Sequence, residues 1–333
     1  MNDPRHLRVP GRVNLIGEHI DYHGLPVLPI AIGRRIRVEF RPRADRRIRA
    51  CSEPYGFREF EWTDHLTPVT AGDWENYVRA AAQTVARRWG VRNGVDATIS
   101  SDLPAAAGLS SSTALIVAFV LALLDERPAF DELMDVLPDG EQFVGTRGGG
   151  MDHAAVLASR AGHASLINFR PVSVRHIPIP PEWGFLAAHS MVTADKSGAT
   201  RDRYNAARRA SDLHVTTEAQ RVSDAVSAME RNDPATFGRL LVESHASLRD
   251  RLRVSCPELD QLVDAALDAG ALGARLTGAG FGGCVVVFAP RQDLPAIRDG
   301  LIRSYYTGRA GFDADMHLID AEPSSGVLYQ EKT

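Results

Sequence analysis

Arg12-Val13-Asn14-Leu15-Ile16-Gly17-Glu18-His19-Ile20-Asp21-Tyr22 carries an arginine, two carboxylates, a histidine and a tyrosine within eleven residues. Apolar residues and Gly17 are interleaved, and Gly24 and the apolar run Leu25 to Ile32 follow. So dense a set of hydrogen-bonding groups between apolar runs describes a polar wall at the end of a strand, facing a small polyhydroxylated ligand. Carboxylates suit neighbouring hydroxyls, because an ionised carboxylate only accepts hydrogen bonds and takes two O–H groups at once. An ordinary charged turn at a strand end is the competing reading.

The chain has 333 residues, 44% hydrophobic and 24% charged, with a formal net charge of −4. That length buries a substantial core and favours two domains. The composition is that of a globular protein, and the charge balance marks no nucleic-acid or membrane surface. Met1 to His6 lacks the apolar core of a signal peptide. The longest apolar run, Ala114 to Leu124, has eleven residues, too few to span a bilayer. Cys51, Cys256 and Cys284 are widely separated and show no metal-binding spacing, which points to free thiols in a reducing compartment. A cytoplasmic monomer with no nucleic-acid or membrane partner is expected. Of 38 basic residues only Lys196 and Lys332 are lysines, and no Gly-Lys-Ser/Thr run exists, so the Walker loop is absent. The strand lysine and His-Arg-Asp loop of protein kinases are missing too.

Strand patterns fall near 7–9, 26–32, 35–42, 47–51, 58–62 and 95–100, broken by Gly, Pro and charged turns. Helical spacing runs from about Asp73 to Gly90, and an apolar helix starts at Ala114. A further helix is expected near Met151 and a strand from Ala164 to Phe169. Helices around 200–230, 234–248 and 257–269, a strand–turn segment at 274–289 and a helix near 292–304 complete the second half.

Pro104 to Ala114 is a run of small residues leading into the apolar helix. Small residues let backbone N–H groups approach a polyphosphate, and the helix N-terminus adds unsatisfied N–H groups and a positive dipole end. Ser110, Ser111 and Ser112 supply hydroxyls for phosphate oxygens or a magnesium ion. A serine-rich cap on a core helix is the alternative. Downstream, Gly148-Gly149-Gly150-Met151-Asp152 places an acid directly after a glycine run, with a capping aspartate as the bland reading.

Together these segments resemble the galactokinases, the sugar-1-kinase branch of the GHMP kinases. Gly11 to Tyr22, with Val27-Leu28-Pro29-Ile30-Ala31, is similar to their sugar signature. Pro104 to Ala114 resembles the GHMP phosphate loop, with Ala106 where the first glycine is usual and Thr113 where many galactokinases have alanine. Gly145 to Asp152 resembles the stretch whose aspartate faces the anomeric hydroxyl, with His153 in place of the usual Gln. Trp74-Glu75-Asn76-Tyr77-Val78 resembles a segment near the adenine. Lys196 to Arg208, Ser244 to Asp250 and Val254 to Asp260 extend the likeness, and Arg275 to Cys284 resembles the third GHMP motif.

The resemblance implies an α/β (α+β) fold of two domains. A ribosomal-S5-like domain, residues 1–172, would carry the sugar wall and phosphate loop. A ferredoxin-like domain, residues 173–333, would carry the third motif, with the active site between them. The implied activity is ATP-dependent phosphorylation of galactose at its 1-hydroxyl, with ATP and Mg²⁺ as cofactors. Asp152 and Arg12 would carry the chemistry. Glu18, His19, Asp21, Gly149 and Tyr204 would hold the sugar. Trp74, Tyr77, Ala107, Gly108, Leu109, Ser110, Ser111 and Ser112 would hold the nucleotide, and Ser112 and Glu141 the metal ion. Glu141 lies eleven residues before Asp152, a mevalonate-type spacing; a solvated helix glutamate is the other reading. N-acetylgalactosamine is the leading alternative sugar, a direction in which Gly148–Gly150 and Thr113 lean, and arabinose is another. A non-catalytic sugar sensor on the same fold is the alternative from another class.

Overall fold

The N-terminal half is built on one long antiparallel pair, β1 (Arg5–Ile16) and β2 (Leu28–Pro42). The computed structural model describes residues 3–145, 148–193 and 212–330. The strand expected at 7–9 thus runs on through Pro10 and Gly11, and the two strands expected at 26–32 and 35–42 are one. A register shift between Pro10 and Arg12 absorbs the break that proline and glycine signalled. Gly11 sits in that shift, where a Cβ would fall 2.5 Å from Leu103 Cδ1 and 2.8 Å from the Leu109 carbonyl oxygen. Its missing side chain lets the small-residue loop lie against β1.

β3 (Arg47–Ser52), β4 (Gly56–Glu61), β5 (Val95–Ser101) and β12 (Leu328–Gln330) complete a six-stranded sheet in the order β12-β1-β2-β5-β3-β4. On it lies α2 (Ser111–Leu124), and α1 (Glu75–Trp89) packs against α2. α2 is buried from Thr113 to its end, so it reads as apolar all round, the pattern of a helix enclosed by a core. Two short helices, α3 (Phe130–Met134) and α4 (Leu137–Gly140), lead toward α5 (Met151–Ala158).

β6 (His163–Asn168) and β7 (Ser173–Pro178) form a separate hairpin. The second half carries a four-stranded antiparallel sheet in the order β11-β8-β10-β9, from β8 (Trp183–His189), β9 (Gly273–Thr277), β10 (Cys284–Pro290) and β11 (Leu318–Asp320). Its longer helices among the described residues are α6 (Asp212–Glu230), α7 (Pro234–Ser247), α8 (Pro257–Asp268) and α9 (Leu294–Leu301). α7 begins as its sequence dictates: Asp233 accepts a hydrogen bond from Thr236 N at 3.0 Å, and Pro234 occupies the first turn. One apolar cluster runs without interruption from β1 to Phe237 and Phe288, and a second lies beneath α8 and α9. The two halves therefore share a core. Among the described residues no helix is long and apolar enough to cross a membrane.

Candidate active site

Arg12, on the β1 bulge, and Asp152, at the start of α5, meet across 140 residues of chain. Arg12 donates from Nε to Asp152 Oδ1 at 2.8 Å, and Nη2 lies 2.7 Å from the same oxygen. Nη1 donates to the Gly108 carbonyl oxygen at 2.6 Å. Ser110 Oγ donates to Asp152 Oδ2 at 2.6 Å. The carboxylate is held from both sides and cannot swing. Burial works against the Arg12 charge, but Asp152 and Glu18 outweigh it and hold the guanidinium above its ordinary value.

Arg12, Asp152, Glu18, His19, Asp21, Glu141 and Gly149 line a single cleft, closed from the second half by Gly278 and Ala279. Asp21 starts a short 3-10 turn, Asp21–His23, and its Oδ2 accepts from Gly149 N at 3.0 Å. Burial, then the neighbouring Asp152 charge, push its carboxyl up to about 6. Glu18 is 1% exposed and accepts from Asn14 Nδ2 on one oxygen and Gly278 N on the other. Burial pushes it up to about 7, against the pull of Arg275 and Arg12. His19 sits at φ 62°, with Nδ1 at 2.9 Å from the Tyr22 hydroxyl and Nε2 at 3.1 Å from the Ala279 carbonyl oxygen. The carbonyl only accepts, so Nε2 carries the proton there. Tyr204 lies outside the described residues.

The small-residue loop takes left-handed backbone angles at Ala106 (φ 54°), Gly108 (φ 76°) and Ser110 (φ 63°). Ala107 and Leu109 are buried, while Ser111 and Ser112 are half-buried at the open end of α2. Gly108 and Gly278 pack backbone to backbone: a Cβ on Gly278 would stand 2.9 Å from the Gly108 carbonyl oxygen. Ala106, like Ser110, carries a Cβ at a left-handed angle, which costs an L-residue roughly 1–2 kcal/mol. Ala106→Gly is expected to raise stability by about 1 kcal/mol, since relief of that strain exceeds the extra freedom glycine gains when unfolded. Thermal unfolding should show the midpoint rising by about 2 °C; a fall would mean the angle is unstrained.

Thr113, the residue that departs from the galactokinase pattern, donates its hydroxyl to Glu141 Oε1 at 2.6 Å. It is fully buried there and does not line the cleft. His153 Nε2 lies 4.0 Å from the same Glu141 oxygen. Glu141 is itself buried, which corrects the reading of a solvated helix glutamate. Its Oε2 stands 3.0 Å from where a Cβ on Gly148 would be. Among the described residues no group of three or more His, Cys, Asp or Glu side chains gathers as a metal site. Trp74 and Tyr77 do not line the cleft. Trp74 is half-buried, donates from Nε1 to the Tyr55 carbonyl oxygen at 3.3 Å, and has Arg58 over its ring; Tyr77 packs against the main core.

Sequence reasoning assigned no role to Asn14, Arg275, Thr277 or Gly278. Asn14 and Gly278 hold the Glu18 carboxylate. Thr277 Oγ1 accepts from Asn14 N and donates to Asn14 O, both at 3.1 Å. The placement of Arg275 to Cys284 as a third motif was the one signal pointing to this side of the site.

The chain is similar to known proteins in sequence and in fold. Residues 2–42 match the galactokinase galactose-binding signature, residues 76–160 the GHMP kinases N terminal domain, and residues 225–307 the GHMP kinases C terminal. The chain is 35% identical to a galactokinase of Roseiflexus sp. (strain RS-1), with 91% of this chain and 88% of that protein covered. It is 36% identical to a galactokinase of Chloroflexus aggregans, with the same coverage. In fold it is similar to the Lactococcus lactis galactokinase complexed with galactose, at a TM-score of 0.87 and 24% identity over 98% of this chain and 95% of that one. The fold is therefore that of the GHMP kinases, with its N- and C-terminal domains both present, and the chain belongs to the galactokinase family, a sugar-kinase branch of the GHMP kinases.

Proposed function

We propose that the chain transfers the terminal phosphoryl group of ATP to the anomeric 1-hydroxyl of galactose, giving galactose 1-phosphate and ADP. The observation that carries this reading is the Arg12–Asp152 pair set in the floor of a cleft walled by Glu18, His19, Asp21 and Gly149. Phosphoryl transfer needs chiefly alignment and charge stabilisation. Asp152 would orient the 1-hydroxyl and draw on its proton, and Arg12 would offset charge on the transferring group. Asp21 and Glu18 would accept sugar hydroxyls through the lone pairs that Gly149, Asn14 and Gly278 leave unused. Backbone N–H groups from Ala107 to Ser112 would cradle the polyphosphate, and Trp74 and Tyr77 would stand on the adenine side. Tyr204 would complete the sugar wall. We read residues 1–172 and 173–333 as the two domains, divided at the turn of the β6–β7 hairpin.

Glu141, a buried carboxylate on the cleft, and Ser112 would hold Mg²⁺. A hard cation takes oxygen ligands and keeps several waters, so one carboxylate, one hydroxyl and phosphate oxygens suffice where no all-protein cage exists. When bound, the ion would neutralise charge on the phosphates being transferred. Thr113 would fix the Glu141 carboxylate for that purpose.

A sugar panel with ATP and Mg²⁺, followed by ADP release, tests the reading. Galactose is expected to turn over fastest; faster turnover of N-acetylgalactosamine or arabinose would reassign the substrate. Asp21→Ala should weaken galactose binding by roughly 1.5–3 kcal/mol, the scale of a hydrogen bond to a charged group, with nucleotide affinity unchanged. Because the Asp21 carboxyl is raised to about 6, it protonates as pH falls through that value and loses acceptor capacity. Galactose affinity should therefore fall between pH 7.5 and 5.5 in the wild type and lose part of that dependence in Asp21→Asn. Calorimetry showing the same affinity in Asp21→Ala would return Asp21 to a turn residue.

A further inference from the structure

The part of β1 that enters the sugar wall has an exposed-edge problem. β12 pairs with β1 only at His6, Leu7 and Arg8. Beyond that point the edge of β1 facing away from β2 has no strand partner among the described residues, and unpaired backbone groups buried there would be costly. Side chains of the second half supply the missing partners. Arg275 donates from Nη1 to the carbonyl oxygens of Asn14 and Leu15 at 3.0 and 2.9 Å. Glu218 Oε1 accepts from Gly17 N at 3.0 Å and from Ser244 Oγ at 2.6 Å. His214 Nε2 lies 3.1 Å from the Glu18 carbonyl oxygen, and its Nδ1 lies 2.8 Å from Ser247 Oγ.

These groups are built in, not incidental. His214, Glu218, Ser244 and Arg275 are all fully buried. The Glu18 carbonyl can only accept, so His214 carries its proton on Nε2 and takes the Ser247 hydroxyl proton on Nδ1. Burial alone would raise the Glu218 carboxyl, but Arg275 and Arg221 outweigh it and hold Glu218 below its ordinary value. Arg221 Nε donates to Glu218 Oε2 at 2.8 Å. Two of the grips fall on Gly17 and Glu18, where the strand has ended; Asn14, Gly278 and Arg275 hold the Glu18 carboxylate, and these grips hold the backbone that carries it.

We propose that His214 and Glu218, on α6, are positioning residues for sugar recognition: they fix the backbone at Gly17 and Glu18 from the second half, and so aim the Glu18 carboxylate without touching substrate. The inference rests on the reading of Glu18 as a sugar ligand. It predicts that losing one of these grips weakens sugar binding while leaving nucleotide binding and the Arg12–Asp152 pair in place.

The test compares His214→Leu, which removes the donor, with His214→Gln, whose amide nitrogen can reach the same carbonyl. In the full chain, His214→Leu should raise the galactose KM by about tenfold with the ATP KM held within about twofold, the signature of lost sugar binding rather than lost chemistry. His214→Gln should stay within about threefold of wild type. Amide exchange should rise in the peptide spanning residues 14–20 in His214→Leu and stay unchanged across β5. Should His214→Leu not fold, Ser244→Ala, which loosens Glu218 instead, should show the same selective rise. Equal rises in both KM values, or no rise in exchange at residues 14–20 in a folded variant, overturn the proposal. A wild-type protein inert toward galactose would overturn the functional reading alone, because the exchange result decides positioning independently of the substrate.

Discussion

Asp152→Asn is expected to leave galactose binding within about tenfold, a change of ~1.4 kcal/mol, and to cut the rate of phosphoryl transfer by about a hundredfold or more. The substitution keeps the shape of the side chain and an oxygen for Arg12 to hold. The amide nitrogen would take the place of Oδ2, where the Ser110 hydroxyl can turn from donor to acceptor. What disappears is the negative charge beside the attacking hydroxyl. Arg12→Ala should also slow turnover. The double variant should lose less than the product of the two single effects, because groups acting as a unit are not additive. Circular dichroism must first show a folded variant, since Arg12 is buried and loses its ionic partner. Near wild-type turnover by Asp152→Asn would make the residue a helix-start aspartate and nothing more.

Gly149→Ala is the second change with a large expected effect, and its cause is steric. A Cβ there would fall 2.3 Å from Tyr22 N, 2.4 Å from the Asp21 carbonyl carbon and 2.5 Å from Asp21 Cγ. Two of those atoms are backbone, so they cannot rotate away as a side-chain end could. Either the turn at Asp21 or the glycine run must move by most of an ångström. Overpacking of this kind costs about 1–3 kcal/mol of stability, and a misplacement of about 1 Å near the reacting groups costs about a hundredfold in rate. kcat/KM for galactose should fall by about that factor, with nucleotide affinity within about threefold. Wild-type kinetics in Gly149→Ala would show that the Asp21–Gly149 contact is not part of the working site.

The elements that position the site were legible in the sequence where the pattern was local. α1, α2 and α5 announced themselves by helical spacing, an apolar run and a glycine-to-acid junction, and the structure places them within a few residues of those readings. β8 was missed. Trp183-Gly184-Phe185-Leu186-Ala187-Ala188 is buried almost throughout, and a strand covered on both faces has no alternation to detect. The continuity of β2 was hidden by Gly33 and the charged pair Arg34-Arg35, where its pairing with β1 shifts register while the strand runs on. That Arg12, Glu18, His19 and Asp21 face one cleft was legible because their polar types crowd into one segment. Their supports were not, because Glu18 is held by Gly278, 260 residues away, and by His214, 196 residues away. Spacing on that scale carries no periodic signal. Thr113 shows the opposite case: it stood out only as a departure, and its partner Glu141 gives it a physical reason.

The central claim is that the cleft at Arg12 and Asp152 directs phosphate to the anomeric oxygen of galactose. Phosphorus and proton NMR of the product formed from galactose, ATP and Mg²⁺ tests it most directly. The account predicts one sugar phosphate, with the phosphorus coupled to the C1 proton, and about a hundredfold less of it or lower still from Asp152→Asn at equal enzyme over the same time. Phosphate on C6, or no turnover of any hexose by the folded wild-type protein, would contradict it.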